Sequence, residues 1–172
     1  MKGLPRSLAR GNPLASPIIK QTLAVRAAAI SVAGTTGVGF GSAVVGDFPE
    51  GNILFLGAVV NMQFSGSGSD ANLAATWSGD FALGTTPASD GTISAGDEDL
   101  VAETALAAAS VEVSPLTRAS STSTLSGAIL NNTDGSLEIN LNLLIDDADI
   151  GGTVPITATG EIYLSYVMLG DD

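Results

Sequence analysis

The chain has 172 residues and a net charge of −12, and it contains no cysteine and no histidine. This length suffices for one domain with a real core, while the missing residue types exclude disulfides, thiolate nucleophiles and the commonest zinc ligands. Hydrophobic residues make up 45% of the sequence but aromatic residues only 5%, so the composition favours a β protein with a core of Val, Ile, Leu and Ala.

Charge divides the chain into a basic start and an acidic remainder. Residues 1–46 carry five bases and no acid, whereas residues 47–172 carry one base, Arg118, and all eighteen acids. An acidic body lacks the Lys and Arg needed for phosphate contacts, so we expect neither nucleic acid nor a membrane as a partner. No residue pattern implies a cofactor.

The first twenty residues are predicted to form an extended basic arm. Pro5, Pro13 and Pro17 oppose helix formation there, and the segment is more apolar than a disordered linker usually is. We therefore expect the arm to bind a partner, through the residues Lys2, Leu4, Arg6, Leu8, Arg10, Leu14, Ile18 and Lys20.

Residues 21–85 alternate with a period close to two, which predicts strands. The alternation is weak up to residue 45 and strong over Asn52–Ser65, where we expect Leu54, Leu56, Ala58, Val60, Met62 and Phe64 to face the core. A strand over residues 72–85 is expected to bury Leu73, Ala75, Trp77, Phe81 and Leu83.

Residues 86–124 give weaker signals. Asp90-Gly91 is typical of a hairpin turn, and the acids Asp97–Asp99 suit the start of a helix. We therefore predict a short helix over Glu103–Ala109 and a loop over residues 114–124.

The last third of the chain predicts hairpin-connected strands. Asn131–Gly135 has the composition of a hairpin turn, and alternating residues follow it on both sides of a second turn at Asp146–Gly152. Together with the earlier strands, these features predict an all-β fold, an antiparallel β-sandwich or jelly roll. We expect the arm to cover residues 1–20 and the β-sandwich body residues 21–172.

The carboxylates of Asp146, Asp147 and Asp149 are the best candidates for a metal site. Ca²⁺ takes six to eight oxygen ligands, but aspartates are also ordinary turn formers, so a structural turn is the competing interpretation. A pair of acids could in principle hydrolyse glycosides, yet nothing pairs one particular acid with another. We predict that the protein is not an enzyme and has no catalytic residues.

Three segments resemble small structural proteins of tailed bacteriophages. They are Val45-Gly46-Asp47-Phe48-Pro49-Glu50-Gly51-Asn52-Ile53-Leu54-Phe55-Leu56-Gly57-Ala58, Ala75-Thr76-Trp77-Ser78-Gly79-Asp80-Phe81-Ala82-Leu83-Gly84-Thr85 and Leu143-Leu144-Ile145-Asp146-Asp147-Ala148-Asp149-Ile150. The resemblance covers roughly residues 45–170 and assigns no functional residue.

This resemblance implies a capsid decoration or cement protein made in the host cytoplasm and located on the capsid surface of the virion. Its expected partners are the major capsid protein and further copies of itself, with a trimer as the expected oligomer. The arm and the sheet edges would provide the attachment. The alternative is a carbohydrate-binding or adhesin-like module on a tail or cell surface, which would present a row of exposed aromatic side chains.

Overall fold

The computed structural model describes residues 17–34, 37–67, 70–109, 112–120 and 124–170. In these ranges the strands are β1 (Ile19–Val32), β2 (Gly39–Asp47), β3 (Gly51–Ser65), β4 (Gly79–Gly84), β5 (Val101–Leu106), β6 (Thr117–Ser120), β7 (Ile129–Asn132), β8 (Glu138–Ile145) and β9 (Val154–Gly170). Two short 3-10 helices cover Ala95–Asp97 and Asp147–Asp149.

The strands form two antiparallel sheets that pack face to face. Sheet A has the strand order β1-β9-β3-β6, with β7 also paired to β3, and sheet B has the order β2-β8-β4-β5. The apolar faces of the two sheets meet in one core, to which sheet A contributes Phe55 and Ile162 and sheet B contributes Phe81 and Leu141. The predicted all-β sandwich is confirmed. Its predicted arm falls mostly on residues 1–16, outside the described residues.

Trp77 lies in this core, as its place in the alternating pattern predicted. Its side chain is 1% exposed. Seven apolar residues alternate with polar ones along the last strand, which predicts that they face inward: six of them are buried, namely Val154, Ile156, Ala158, Ile162, Leu164 and Tyr166, while the seventh, Met168, is half-buried.

In the first part of β3, the residues that face the core are not those that the alternation predicted. Leu54 and Leu56 were expected inside, but Ile53 and Phe55 are buried instead and Leu56 is exposed. The register of β3 against β9 shifts between Phe55 and Gly57, and Gly57 has a φ of 150°. This bulge adds one residue, which moves every side chain before it to the opposite face.

The strand predicted over residues 72–85 is present only as β4. Leu73 and Trp77 are buried as predicted, whereas Ala75 is exposed. The carbonyl oxygen of Trp77 accepts a hydrogen bond of 2.7 Å from the backbone N–H of Ala109. The backbone before β4 is thus hydrogen-bonded to a loop residue, and pairing with a neighbouring strand begins only where β4 starts.

The helix predicted over Glu103–Ala109 is wrong. Residues 101–106 form β5, which pairs with β4 in an antiparallel register. Helix propensity is a weak preference that pairing with a neighbouring strand overrides. The loop predicted over residues 114–124 is wrong in part, because it contains β6.

The two segments predicted to be hairpin turns do form turns, but neither connects two paired strands. Asp90 accepts a hydrogen bond from the Thr92 N–H, but the turn around Asp90-Gly91 joins no paired strands. Residues 131–135 also form a turn, yet β7 belongs to sheet A and β8 to sheet B. The chain therefore passes from sheet A to sheet B at this turn. The buried Asn132 holds the turn in place, because its side-chain amide donates hydrogen bonds to the carbonyl oxygens of Phe48 and Pro49.

Candidate partner-binding surface

The part of the outer face of sheet B formed by β8 and β4 is covered by a segment of the chain itself, whereas Val44 of β2 on the same face is 52% exposed. Residues 85–100, which we call the cover segment, connect β4 to β5 and lie across β8 and β4. Ile93 of this segment packs in a small buried cluster with Ala82 and Leu144, against which Phe40 also packs. The cluster lies on the side of sheet B that faces away from the main core.

Two asparagines of β8 hold the cover segment in place. The Asn142 side chain is fully buried, accepts a hydrogen bond of 2.9 Å from the Ala88 N–H, and donates to the carbonyl oxygens of Thr86 and Asp97. Asn140 donates to a further carbonyl oxygen of the segment, at 3.4 Å. These bonds satisfy polar groups whose burial would otherwise cost stability.

Asp99 anchors the end of the cover segment. Its carboxylate accepts hydrogen bonds from the Thr85 N–H at 2.9 Å and from the Thr85 hydroxyl at 2.6 Å. Burial raises the pKa of Asp99, and the hydrogen bonds from Thr85 oppose that rise. The acids that suggested a helix start therefore include one buried structural carboxylate.

The outer face of sheet A is exposed and partly apolar. Leu54 pairs with Val167 of β9 and with Ile129 of β7, and Ile18 precedes β1 next to the position of Val167. We call these four residues the apolar row. Ile18 is 59% and Ile129 64% exposed, and Leu56 and Leu169 are exposed close by.

A shallow depression of about 290 Å³ lies beside the apolar row. The bulge of β3 and the exposed ring of Tyr163 form its walls. The residues that line it are Leu56, Gly57, Ala58, Val59, Ser120, Tyr163 and Ser165. The depression is large enough to receive one projecting side chain of a partner.

Tyr163 is held in place by polar neighbours on the same face. Its hydroxyl donates a hydrogen bond to Glu161, which raises the pKa of the phenol, while the positive charge of Arg118 opposes the rise. Arg118 pairs with Asn61 of β3, next to Glu161 in the same row of the sheet. This face therefore combines apolar side chains with an ordered polar row.

Charge is distributed unequally between the two sheets. In the described part of the chain, the bases are Lys20, Arg26 and Arg118, and all three are exposed on strands of sheet A. Carboxylates concentrate on the outer side of sheet B instead. Burial raises the pKa of Asp80 and of Glu103, and to a smaller extent the charge of Asp146 raises the pKa of Asp80 and the charge of Asp80 raises that of Glu103. The sandwich thus has a cationic, apolar side and an anionic side.

The carboxylates of Asp146, Asp147 and Asp149 act on three different loop groups. Asp149 accepts from the Ser78 N–H at 2.8 Å, Asp146 accepts from the Ser78 hydroxyl at 2.7 Å, and Asp147 accepts from the Gly37 N–H at 2.8 Å. Among the described residues, no group of three or more acidic side chains is arranged to hold a metal ion. The partners of these carboxylates lie 68 to 110 residues away in the chain, so the side chains join separate loops instead of bonding the local backbone as the turn-forming interpretation expected.

Most of the predicted arm contacts lie outside the described residues, namely Lys2, Leu4, Arg6, Leu8, Arg10 and Leu14. Ile18 and Lys20 are described, and both are exposed on the outer side of sheet A. Lys20 pairs with Ser165 of β9, so it flanks the depression. The other members of the exposed face were missed by sequence reasoning, although apolar residues at both odd and even positions of residues 53–60 signalled that both faces of β3 are apolar.

No protein-family model matches the chain, and no curated protein is significantly similar to it in sequence. Within the described ranges, no helix has both the length and the apolar character needed to cross a bilayer.

Proposed function

We propose that this chain is a non-enzymatic structural protein of a virion that decorates or cements the capsid shell of a tailed phage. It binds the major capsid protein through the N-terminal arm and the edges of its sheets, and it associates with copies of itself. Its place is on the capsid surface. The phage assignment rests on the resemblance of the three sequence segments.

The observation that carries the assembly role is the difference between the two sides of the sandwich. The outer face of sheet B is covered over β8 and β4 by residues 85–100 and is anionic, whereas the outer face of sheet A exposes the apolar row and three bases. Exposed apolar side chains grouped on one face mark protein-interaction sites. A body whose two outer sides differ in this way suits a protein that lies on a larger assembly.

The position of β1 supports the arm as the second attachment element. β1 is an edge strand of sheet A and begins at Ile19, directly after the basic, proline-containing segment. Its register shifts between Val25 and Ala28, and Ala27 has a φ of 52°. Because such a bulge hinders strand addition, the unbulged first half of β1 is the part of this edge suited to a partner.

The placement of the aromatic side chains disfavours the carbohydrate-binding alternative. The chain has five Phe, one Trp and two Tyr, all within the described residues, and Tyr163 is the one that is exposed. A sugar-binding surface of the expected kind needs several exposed rings, and here they fill the core.

The proposal is tested by purifying particles from infected cells and measuring whether this chain co-purifies with them. Purified shells that lack it should rebind the full-length protein, while a variant lacking residues 1–16 keeps the whole of β1 and should lose shell occupancy. A variant with Asp134→Asn, in the exposed turn that follows β7, keeps the acceptor oxygen for the Ser136 N–H, and it is the control that should bind normally. Particles without the chain, or unchanged occupancy after removal of the arm, would contradict the proposal.

A further inference from the structure

Carboxylates on the outer side of sheet B form a second charged surface. We call Asp80, Glu98, Glu103 and Asp146 the acidic patch, because their charges act on one another. On the opposite side of the sandwich, Glu161 is the one acid that the strand register places on the outer face of sheet A among the described residues. The two outer sides of one molecule therefore have complementary charge.

The strand next to the acidic patch also offers apolar contact. Ala105 of β5 pairs with Asp80, and Ala105, Ala107 and Ala108 are exposed. Small side chains leave this side of the molecule flat, so the face of a sheet can approach it closely. Apolar and charged complementarity thus occur together.

We propose that the outer face of sheet A binds the acidic side of a second copy of this chain, head to tail. Lys20 and Arg118 face the acidic patch of the neighbour, and the apolar row lies over its exposed alanines. This inference deepens the proposed function by naming one partner of the exposed face, and it rests on that function for the assembly role alone.

Charge decides between this arrangement and a symmetric one. If two copies joined through their sheet A faces about a two-fold axis, the face that carries Lys20, Arg26 and Arg118 would meet an identical cationic face. In the head-to-tail arrangement these bases instead meet carboxylates that repel one another within each monomer. Opposite potentials across an interface favour one docking orientation and suppress the others.

In a head-to-tail dimer, one copy still has a free sheet A face and the other still has a free acidic side. Repeating the same contact therefore builds a closed ring or an open chain rather than a dimer alone. The arrangement also predicts an unusual salt response. A protein of net charge −12 normally repels its copies more strongly at low ionic strength, whereas a contact between complementary faces becomes tighter.

The test uses the purified full-length chain without shells, studied by sedimentation velocity over a range of protein concentration and salt. We expect oligomers whose dissociation constant rises at least about tenfold when salt increases from about 50 mM to about 500 mM. A monomer at every concentration, or tighter association at high salt, would overturn the proposal. Shell binding is measured separately, so that failure here is distinct from failure of the proposed function.

Charge reversals identify the two surfaces. Lys20→Glu/Arg118→Glu reverses the sheet A side and Asp80→Lys/Glu103→Lys reverses the acidic patch, and each variant alone should be monomeric while the unfolding transition of Trp77 fluorescence remains cooperative. An equimolar mixture of the two should associate again, because the reversed faces complement each other. The matched control is Asp47→Lys/Glu138→Lys, which reverses a pair at the far end of β2 and β8 and should leave association unchanged.

Three results would refute the head-to-tail arrangement. Loss of association in the sheet A variant but not in the acidic-patch variant would assign the contact to a symmetric pair of sheet A faces. Equal loss in the control variant would mean that total charge, and not the acidic patch, governs association. Failure of the mixture to associate would likewise show that the two surfaces do not bind each other.

Discussion

The outer faces of the two sheets carry similar kinds of residue but use them differently. On sheet B, Asn142 and Leu144 are buried beneath the cover segment, which they bind through hydrogen bonds and apolar packing. On sheet A, Asn61 and Ile129 lie on a face that remains accessible. Asparagine and aliphatic side chains therefore stabilise the fold on one side and are available to a partner on the other.

This contrast shows that the burial of a strand residue depends on what lies over its sheet. Strand β8 is buried on both faces from Ile139 to Ile145, because the core lies on one side and the cover segment on the other. Strand β9 alternates between buried and accessible residues, since only its inner face has a covering layer. The comparison can be tested by making the same substitution on each side.

The largest difference is expected for asparagine. Asn142→Ala should lower the free energy of unfolding by about 3 kcal/mol, because it leaves a buried N–H and two buried carbonyl oxygens without their partner. Asn61→Ala on the open face should change it by less than about 0.5 kcal/mol. Urea unfolding followed by Trp77 fluorescence measures both, and equal effects would contradict the structural role of the cover segment.

A matched pair of isoleucines should give the next largest difference. Ile93 of the cover segment is 5% exposed and Ile129 of the apolar row is 64% exposed. Ile93→Ala should cost about 2 kcal/mol of stability through lost burial and a small cavity, and Ile129→Ala less than about 0.5 kcal/mol. A large loss for Ile129→Ala would mean that the open face is part of the monomer's core, and denaturant unfolding below the concentration of association decides this.

The aspartates after β8 should show a smaller effect that depends on burial. Asp149→Ala removes the acceptor of the Ser78 N–H and should cost about 1 kcal/mol. Asp147→Ala removes the exposed acceptor of the Gly37 N–H and should cost roughly half as much. Thermal unfolding of both variants with and without added Ca²⁺ also tests the metal interpretation, because a stabilisation of the wild-type protein by Ca²⁺ that Asp149→Ala abolishes would support a cation site.

The smallest effect concerns the pH dependence of stability. The pKa of Asp99 is raised in the folded protein, so the folded state holds this proton more tightly than the unfolded state does. Its contribution to stability is therefore greatest below the ordinary pKa of 3.8 and is lost as pH rises from there through the raised folded value. Asp99→Asn keeps the shape and an acceptor for the Thr85 N–H, and should reduce this decline.

This prediction is tested by measuring the free energy of unfolding of the wild-type protein and of Asp99→Asn as pH rises from the ordinary pKa of the carboxyl through its raised value in the folded protein. The exposed Asp134, whose pKa is lowered by hydrogen bonds from Ser136, gives a contribution of the opposite sign that both proteins share. The wild-type protein should lose stability relative to Asp99→Asn as pH rises. A difference that is independent of pH would show that Asp99 ionises alike in both states.

The local sequence pattern predicted the strands well where apolar and polar residues alternate clearly. The period-two pattern of residues 154–168 located β9 and its inner face, and Trp77 was correctly placed in the core. The pattern failed at β5, where an Ala-rich stretch with helical character pairs with β4. It failed again at Gly57, since one bulged residue reverses a face without changing the local composition.

The candidate surface was predictable only in part. Ile18 and Lys20 were expected to contact a partner, and both are exposed. The apolar row remained hidden because Leu54, Ile129 and Val167 come from three separate strands and become neighbours only through the register of sheet A. No local signal tells whether an apolar strand residue faces a core or a second protein.

The amino-acid sequence by itself determined the fold class, the burial of the tryptophan and the division of charge between the start of the chain and its remainder. These properties follow from composition and from the two-residue period of a strand, which are local. Tertiary structure alone decided which sheet receives the cover segment, which face of β3 points inward, and where the remaining bases stand relative to the acids. Those outcomes depend on strand order and register, because residues far apart in the chain must meet before any of them is specified.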